Sequence, residues 1–423
     1  HGDIKGAFLS DTTVESLTAN TNLASSATQT ATARLTSETY TDGATSWQMV
    51  DNAGNDNGYL AIIFGGLTVG QSYHLSMTVD ANAALDAGYQ HKIEQGSSIV
   101  YLNHWNGTGA ATLTANFTAA SGTNALYFYA NGITVNVTNF NIRAVDDEDR
   151  SVNNNGLAVY GTITKSAVAT GADLVAYSGW STSNNLVQPY NSGLNFGTGD
   201  FSIIAWIKKP TLTTNHYILD RNDGSTENGR FAFMVNASGA LNLYFGTTSD
   251  QCNSGNSVFV GSSAWRMSMV KRISGVVTFG LDGKEYASTT TSGNWSTANL
   301  TGSGDENLFI GQYGGGAPGS LIYNADYGIG EIALLRISAS APSAEQVKKM
   351  YEDEKVLFQE NAKATLYGSS DAVTALAFDE VTDQLHVGTS GGRSDFQRLR
   401  RINNTTTAVT TAISAHDSFI LEQ

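Results

Sequence analysis

The sequence predicts an all-β protein: two β-sandwiches in series, a C-terminal β-hairpin tail, and one short helix near 343–357. Short runs of alternating apolar residues recur through most of the chain, separated by Gly, Asn, Ser and Asp turn signals. Only 14% of the residues are charged, against roughly 25% in an average domain. Thr, Ser, Asn and Gly carry the polarity instead, which suits sheet surfaces and turns better than long helices. At 423 residues the chain exceeds one sandwich and suits two or three domains.

Taken in order, residues 1–14 are polar and read as an extended lead-in. Residues 15–145 hold strand patterns such as Ser46-Trp47-Gln48-Met49-Val50, Tyr59-Leu60-Ala61-Ile62-Ile63-Phe64, Tyr73-His74-Leu75-Ser76-Met77-Thr78-Val79 and Ala125-Leu126-Tyr127-Phe128-Tyr129-Ala130, spaced as in a sandwich. Residues 146–155 begin Asp146-Asp147-Glu148-Asp149-Arg150, break every apolar periodicity and read as a solvated linker.

Residues 156–357 form the second sandwich. Gly197 to Asp200 make a glycine turn into a strand whose Phe201, Ile203, Ala205 and Ile207 share one face. Asp282-Gly283 between two alternating runs is a hairpin signal, because the turn needs positive φ. Ser343 and Gln346 form a capping box after Pro342, opening a helix with Val347, Met350 and Tyr351 on one side. In the tail, residues 358–423, Ala372 to Phe378 and Gln384 to Thr389 flank a turn and make the expected hairpin.

The run Phe196-Gly197-Thr198-Gly199-Asp200-Phe201-Ser202-Ile203-Ile204-Ala205-Trp206-Ile207-Lys208, with the late strand Gly330 to Ile337 and the closing helix, resembles the laminin-G-like, concanavalin A-like sandwich. The pieces at 66–77 and 137–143 resemble carbohydrate-binding-module jelly rolls, a looser likeness. The tail hairpin resembles part of a propeller blade, and one blade leaves its face and edges open. It is therefore expected to be completed by tails of neighbouring copies. The overall layout, with the stretches 156–179 and 363–378, resembles tail-fibre or other virion structural proteins of marine bacteriophages. That resemblance implies a non-enzymatic virion protein at the particle surface, a homotrimer that contacts other virion proteins and host-surface polysaccharide. A capsid decoration or cement protein, and the accessory binding region of a secreted carbohydrate-active enzyme, remain open as alternatives.

The formal net charge of -15 repels phosphate backbones, so nucleic acid is not an expected partner. Arg393, Arg398, Arg400 and Arg401 form the one dense basic cluster, expected to pair with carboxylates or lie at a subunit contact. A single cysteine, Cys252, excludes an intrachain disulfide. No apolar run reaches the roughly 18 residues of a membrane span, so no membrane insertion is expected.

No catalytic residue is assigned. Sandwich glycosidases place two carboxyl groups across the scissile bond, but where Glu331 would need a partner acid the chain has Ala333. His74 alternates with core residues and reads as a buried, hydrogen-bonded histidine rather than a metal ligand. Sugar recognition asks for aromatic faces and a few amide or carboxylate partners. Tyr101, Asn103 and Trp105 offer these on one side of a strand, while Trp295, Tyr313 and Tyr323 lie in loops rich in Gly, Ser and Asn. The competing reading is that Tyr101 and Trp105 cap the sandwich core. No cofactor is identified; the laminin-G resemblance implies a structural calcium at the rim, for which Asp220, Asp223 and Asp305 are candidates without a spacing that selects among them.

Overall fold

A computed structural model describes residues 4–18, 21–52, 58–83, 90–102, 109–130, 132–145, 149–151, 153, 155–222, 229–246, 251–255, 258–302, 306–314, 316–317, 320–321, 328–360, 362, 373–397, 400–408, 413–416 and 419–422. The first sandwich faces two five-stranded antiparallel sheets against each other. One runs, in spatial order, Gly109–Thr118, Ser72–Ala81, Thr134–Ala144, Trp47–Val50 and Ser37–Glu38; the other runs Thr28–Ala33, Tyr59–Ile63, Asn124–Tyr129, Lys92–Gln95 and Ser98–Tyr101. Alternation fixes the core: Tyr73, Leu75, Met77 and Val79 are buried with Trp47, Leu126, Phe128 and Phe140. Each such side chain contributes about 1.5–3 kcal/mol on burial. Trp47 meets Tyr40 and Phe140 edge-on, at 5.2 and 5.3 Å between ring centroids.

His74 points the other way, toward the second sandwich, and is nevertheless fully buried. Its Nδ1 lies 2.9 Å from Asn116 Oδ1, and Arg143 is its cross-strand neighbour, with the guanidinium 5.2 Å from the Tyr160 ring of the second sandwich. Burial pushes the imidazole down to about 4, against a smaller opposing effect of the Asn116 hydrogen bond. The folded value lies below the unfolded one near 6.5, so the unfolded chain binds the proton first as pH falls. Stability is full above pH 6.5 and should drop by about 3 kcal/mol between there and pH 4. Urea midpoints across that interval measure the loss; a His74→Gln variant that keeps the full slope would assign it elsewhere.

The second sandwich is larger, with a nine-stranded and an eight-stranded sheet. In the first of these Phe201–Lys209 lies between Ser262–Ile273 and Glu331–Ser338. Phe201, Ile203, Ala205 and Ile207 enter the main core, while Ile204 and Trp206 face outward and take the helix Ala344–Glu354 through Val347, Met350 and Tyr351. Trp206 stacks on Phe358 at 4.3 Å and donates from Nε1 to Glu354 Oε2 at 2.7 Å, and Arg336 clamps the same carboxylate with both Nη atoms. Ser343 and Gln346 form the capping box. Asp282 and Gly283 adopt φ of 51° and 78°, as the hairpin requires. The glycine turn is held by an interaction no local pattern announces. Buried Arg272 donates from Nη2 to Gly197 O and from Nε to Gly199 O, each at 2.8 Å.

The amino-terminal segment is more than an extended lead-in. Ile4–Phe8 pairs antiparallel with Glu331–Ser338, Glu15–Thr18 pairs with Thr162–Ala167, and Phe8 and Leu9 are buried in the second core. Buried Lys165 binds Asp11 and Glu15, which fixes the segment across more than 140 residues of sequence. Ordered packing of the first sandwich thus begins at the turn Leu23–Ser26. Within the acidic linker Asp149 is buried and not solvated: Oδ1 accepts from the Ala7 and Ser151 amides, and Oδ2 from Ser151 Oγ and the Asn155 amide.

After Ala362, which is buried against the second sandwich, the tail forms more than the expected hairpin. Val373–Asp379, Gln384–Thr389, Gly392–Gln397 and Arg400–Thr405 make a four-stranded antiparallel meander, and a hairpin of Ile413–His416 and Phe419–Glu422 follows. Among the described residues Val373–Asp379 hydrogen-bonds to a strand on one edge only, and Leu376 and Phe378 are 63% and 57% exposed. Arg393 and His386 both engage the buried carboxylate of Asp395. No helix among the described residues is long and apolar enough to cross a membrane.

Candidate functional site

The outer face of the sheet Thr28–Ala33 to Ser98–Tyr101 collects the aromatic residues of the first sandwich. Directly opposed residues in antiparallel strands share a face. The pairings Ala61 with Tyr127, Tyr127 with Lys92, and Lys92 with Tyr101 therefore lay one row across four strands, and Tyr129 opposite Tyr59 begins the next row. Phe128, between the two tyrosines in sequence, points into the core, so both neighbours must point out. Ala61, almost fully buried, keeps the row low between the rings.

Tyr59 lies 5.6 Å from Tyr127 and 5.9 Å from Tyr129, centroid to centroid, with tilted planes. Lys92 Nζ sits 5.5 Å from the Tyr127 centroid and 2.7 Å from Glu94 Oε1. The Glu94 hydrogen bond raises the Lys92 ammonium despite partial burial. Tyr127 is raised by desolvation and then by the Glu94 charge; Tyr129 is raised by burial, with Lys92 working against it. All three rings are half-buried, and the upward shifts keep the Tyr127 and Tyr129 phenols neutral at ordinary pH. The face thus offers flat apolar rings beside one cation, one carboxylate and neutral hydroxyls. That combination suits a pyranose ring, which presents C–H surfaces for stacking and hydroxyls for hydrogen bonding.

Of the residues singled out in sequence, Tyr101 lies on this face and is 55% exposed. Asn103 and Trp105 lie outside the described residues, as do Tyr323, Asp223 and Asp305. Tyr59, Tyr127 and Tyr129 were missed, although Tyr-Phe-Tyr within a strand was a readable signal of two rings on one outer face.

Of the loop aromatics of the second sandwich, Trp295 and Tyr313 are among the described residues. Trp295 is half-buried and packs against the main core. Tyr313 is half-buried too, edge-on to Tyr217 at 5.1 Å and 5.3 Å from the Arg230 guanidinium. Beneath it Arg230 meets Asp220 through Nε and Nη2 at 3.2 and 3.3 Å, and the Gly314 amide donates to Asp220 Oδ2 at 3.0 Å. Asp220 is fully buried and spent on these partners, so it is an unsuitable calcium ligand. Among the described residues no group of three or more His, Cys, Asp or Glu side chains is placed to hold a metal ion. Asp220→Ala removes the carboxylate from a buried guanidinium and should cost about 3–5 kcal/mol, read as a lower thermal midpoint. A loss under 1 kcal/mol would mean that water reaches Arg230.

Glu331 is paired with Lys208 at 2.9 Å, and Ala333 is buried. Cys252 is buried, which pushes its thiol up to about 12 and makes it a poor nucleophile.

Residues 181–348 match the laminin-G-type family described as the Concanavalin A-like lectin/glucanases superfamily. With its two facing antiparallel sheets, the second sandwich has that lectin fold. No curated protein matches the chain. Among solved structures it is similar to the binding domain of Paraclostridial Mosquitocidal Protein 1, at 12% identity over 64% of this chain and 69% of that one, with a TM-score of 0.39. It is also similar to Domain 4 of AbnA, a GH43 extracellular arabinanase from Geobacillus stearothermophilus, in complex with arabinotriose, at 17% identity over 48% and 92%, with a TM-score of 0.36. A third similar structure is the Ruminococcus gnavus IT-sialidase CBM40 bound to alpha2,3 sialyllactose, at 12% identity over 37% and 84%, with a TM-score of 0.28.

Proposed function

We propose that the chain is a non-enzymatic glycan-binding protein of a phage particle, a tail fibre or other appendage, that holds host-surface polysaccharide on the tyrosine face of its first sandwich. The observation that carries this reading is the row Tyr127, Lys92 and Tyr101 beside Tyr59 and Tyr129: an outward face rich in rings, with a paired cation and carboxylate at its centre. The lectin fold of the second sandwich agrees with a binding role. The virion assignment rests on the resemblance of the stretches 156–179 and 363–378. A homotrimer held by the C-terminal sheet belongs to the same reading, supported by the strand Val373–Asp379, which among the described residues hydrogen-bonds to a strand on one edge only and exposes Leu376 and Phe378.

Two measurements test it. An array of bacterial surface polysaccharides should retain the wild-type chain and lose the Tyr127→Ala/Tyr129→Ala variant; equal retention of both would remove the tyrosine face from the argument. Antibody raised against the chain should decorate tail or fibre tips of intact particles. Label spread over the capsid shell would make it a decoration protein, and label only in culture medium would favour the binding region of a secreted carbohydrate-active enzyme.

A further inference from the structure

A cleft of about 600 Å³ opens where the two sandwiches meet, bordered mainly by the other sheet of the first sandwich, with Val100 from the edge of the tyrosine sheet at its rim and none of the four face tyrosines in its walls. Its walls include Gln71, Ser72, Asn116 and Thr118 from the first sandwich and Gln188 and Tyr190 from the second, and no lining residue is charged. The volume suits one to a few sugar rings, and domain junctions are a common place for such sites.

Gln188 makes this more than a gap between domains. It is 1% exposed; Nε2 donates to Asn155 O at 3.0 Å, while Oε1 is buried and has no hydrogen-bond partner among the described residues. A buried amide oxygen left alone is a standing cost to the fold, which a hydroxyl donor arriving in the cleft relieves. Around it, amides and hydroxyls both donate and accept, as sugar hydroxyls do. Tyr190 is fixed for contact: Asn195 Nδ2 donates to its Oη at 2.9 Å, and its carbonyl accepts from Asn116 Nδ2 at 3.5 Å. Uncharged walls give no partner to a carboxylate or an ammonium, so an ionic ligand would lose its hydration uncompensated.

We propose that this cleft is a second ligand site, taking an uncharged saccharide unit whose hydroxyl donates to Gln188 Oε1. It is independent of the tyrosine face, so the chain would grip glycan at two places.

The test uses the full chain in ligand-observed NMR and calorimetric titration with the methyl glycosides of glucose, galactose, mannose and N-acetylglucosamine, and sialyllactose as the charged comparator. Thr118→Trp fills the cleft from an exposed rim position, and Gln188→Leu removes the lone acceptor. At least one neutral glycoside should bind the Tyr127→Ala/Tyr129→Ala chain, and that binding should weaken at least tenfold on adding either cleft substitution. Absence of neutral-glycoside binding to the Tyr127→Ala/Tyr129→Ala chain, or binding indifferent to both cleft substitutions, overturns the cleft site. Sialyllactose held as tightly in the cleft would overturn its charge selectivity. Failure of the tyrosine face has a different signature: wild-type affinity for every ligand in the Tyr127→Ala/Tyr129→Ala chain.

Discussion

Alanine at both Tyr127 and Tyr129 should weaken binding of the recognised glycan by a hundredfold or more. The two rings flank Tyr59 at the middle of the face, and removing both leaves Tyr59 and Tyr101 with no flat surface between them. A contact of about 1.4 kcal/mol per ring corresponds to tenfold in affinity, and aromatic anchors at the centre of a binding face commonly reach or exceed that. The loss should not come from unfolding, because both rings are half-exposed and the core beneath is carried by Leu126 and Phe128; surface substitutions of this kind typically move stability by about 0.5 kcal/mol. Phenylalanine at both positions separates the two roles of tyrosine. If stacking dominates, that variant keeps most of the affinity. If it loses as much as the alanine variant, the hydroxyls beside Glu94 and Lys92 carry recognition, and the face works by hydrogen bonding. Calorimetric titration against the best array ligand, with melting curves of each variant, decides between these outcomes. Unchanged affinity in the alanine variant would end the assignment.

Local features of the fold were legible in sequence, and non-local ones were not. The face shared by Phe201, Ile203, Ala205 and Ile207, the Asp282-Gly283 turn and the Ser343/Gln346 box each depend on residues a few positions apart, where strand period, positive φ and capping chemistry are sufficient. The strand Ile4–Phe8 was unreadable because its partner among the described residues, Glu331–Ser338, lies some three hundred residues away, and five residues with a glycine at the centre are too short to show an apolar period of their own. Asp149 was misplaced for a related reason, and the burial of Lys165 follows the same rule. Charged side chains default to solvent, and only the tertiary arrangement supplies the amides and carboxylates that make their burial tolerable. Arg272 belongs with them: the glycine turn was recognised as a pattern, but the guanidinium that ties its carbonyls arrives from a different strand. At the site the same division holds. The alternation at Tyr127 and Tyr129 is local and was overlooked; their meeting with Tyr59 and Lys92 is a matter of register and was out of reach.

Aspartate at both Leu376 and Phe378 should convert an assembled chain into monomers while leaving the two sandwiches folded. Both residues stand on a strand whose outer edge is unpaired among the described residues, and the register places Leu376 opposite Val387 and Phe378 opposite Leu385, on one face. Val387 is buried, but Leu376 and Phe378 expose well over half their surface. An edge strand with apolar side chains invites pairing, and chains that remain single usually blunt such edges with charge or proline. Here the edge strand Val-Thr-Ala-Leu-Ala-Phe-Asp has its only charge at the far end. Covering Leu and Phe contributes about 1.5–3 kcal/mol each, so a carboxylate in both places removes several kcal/mol per subunit contact and weakens association by a thousandfold or more. Three copies would close as a ring if this edge of one copy met a different edge of the next, a head-to-tail contact repeated three times. Sedimentation or light scattering at micromolar concentration should find a trimer for the unaltered chain and a monomer for the variant, with the melting transition of the sandwiches unmoved. Lysine at Thr374, whose hydroxyl already bonds within the sheet to Gly388 O at 3.1 Å, separates the two ways of joining. It charges the edge strand while leaving the apolar residues in place, so dissociation there would mean that copies add strand to strand, and persistence would mean that they meet face to face. An unaltered chain that sediments as a monomer across that range would remove the assembly role from the tail altogether.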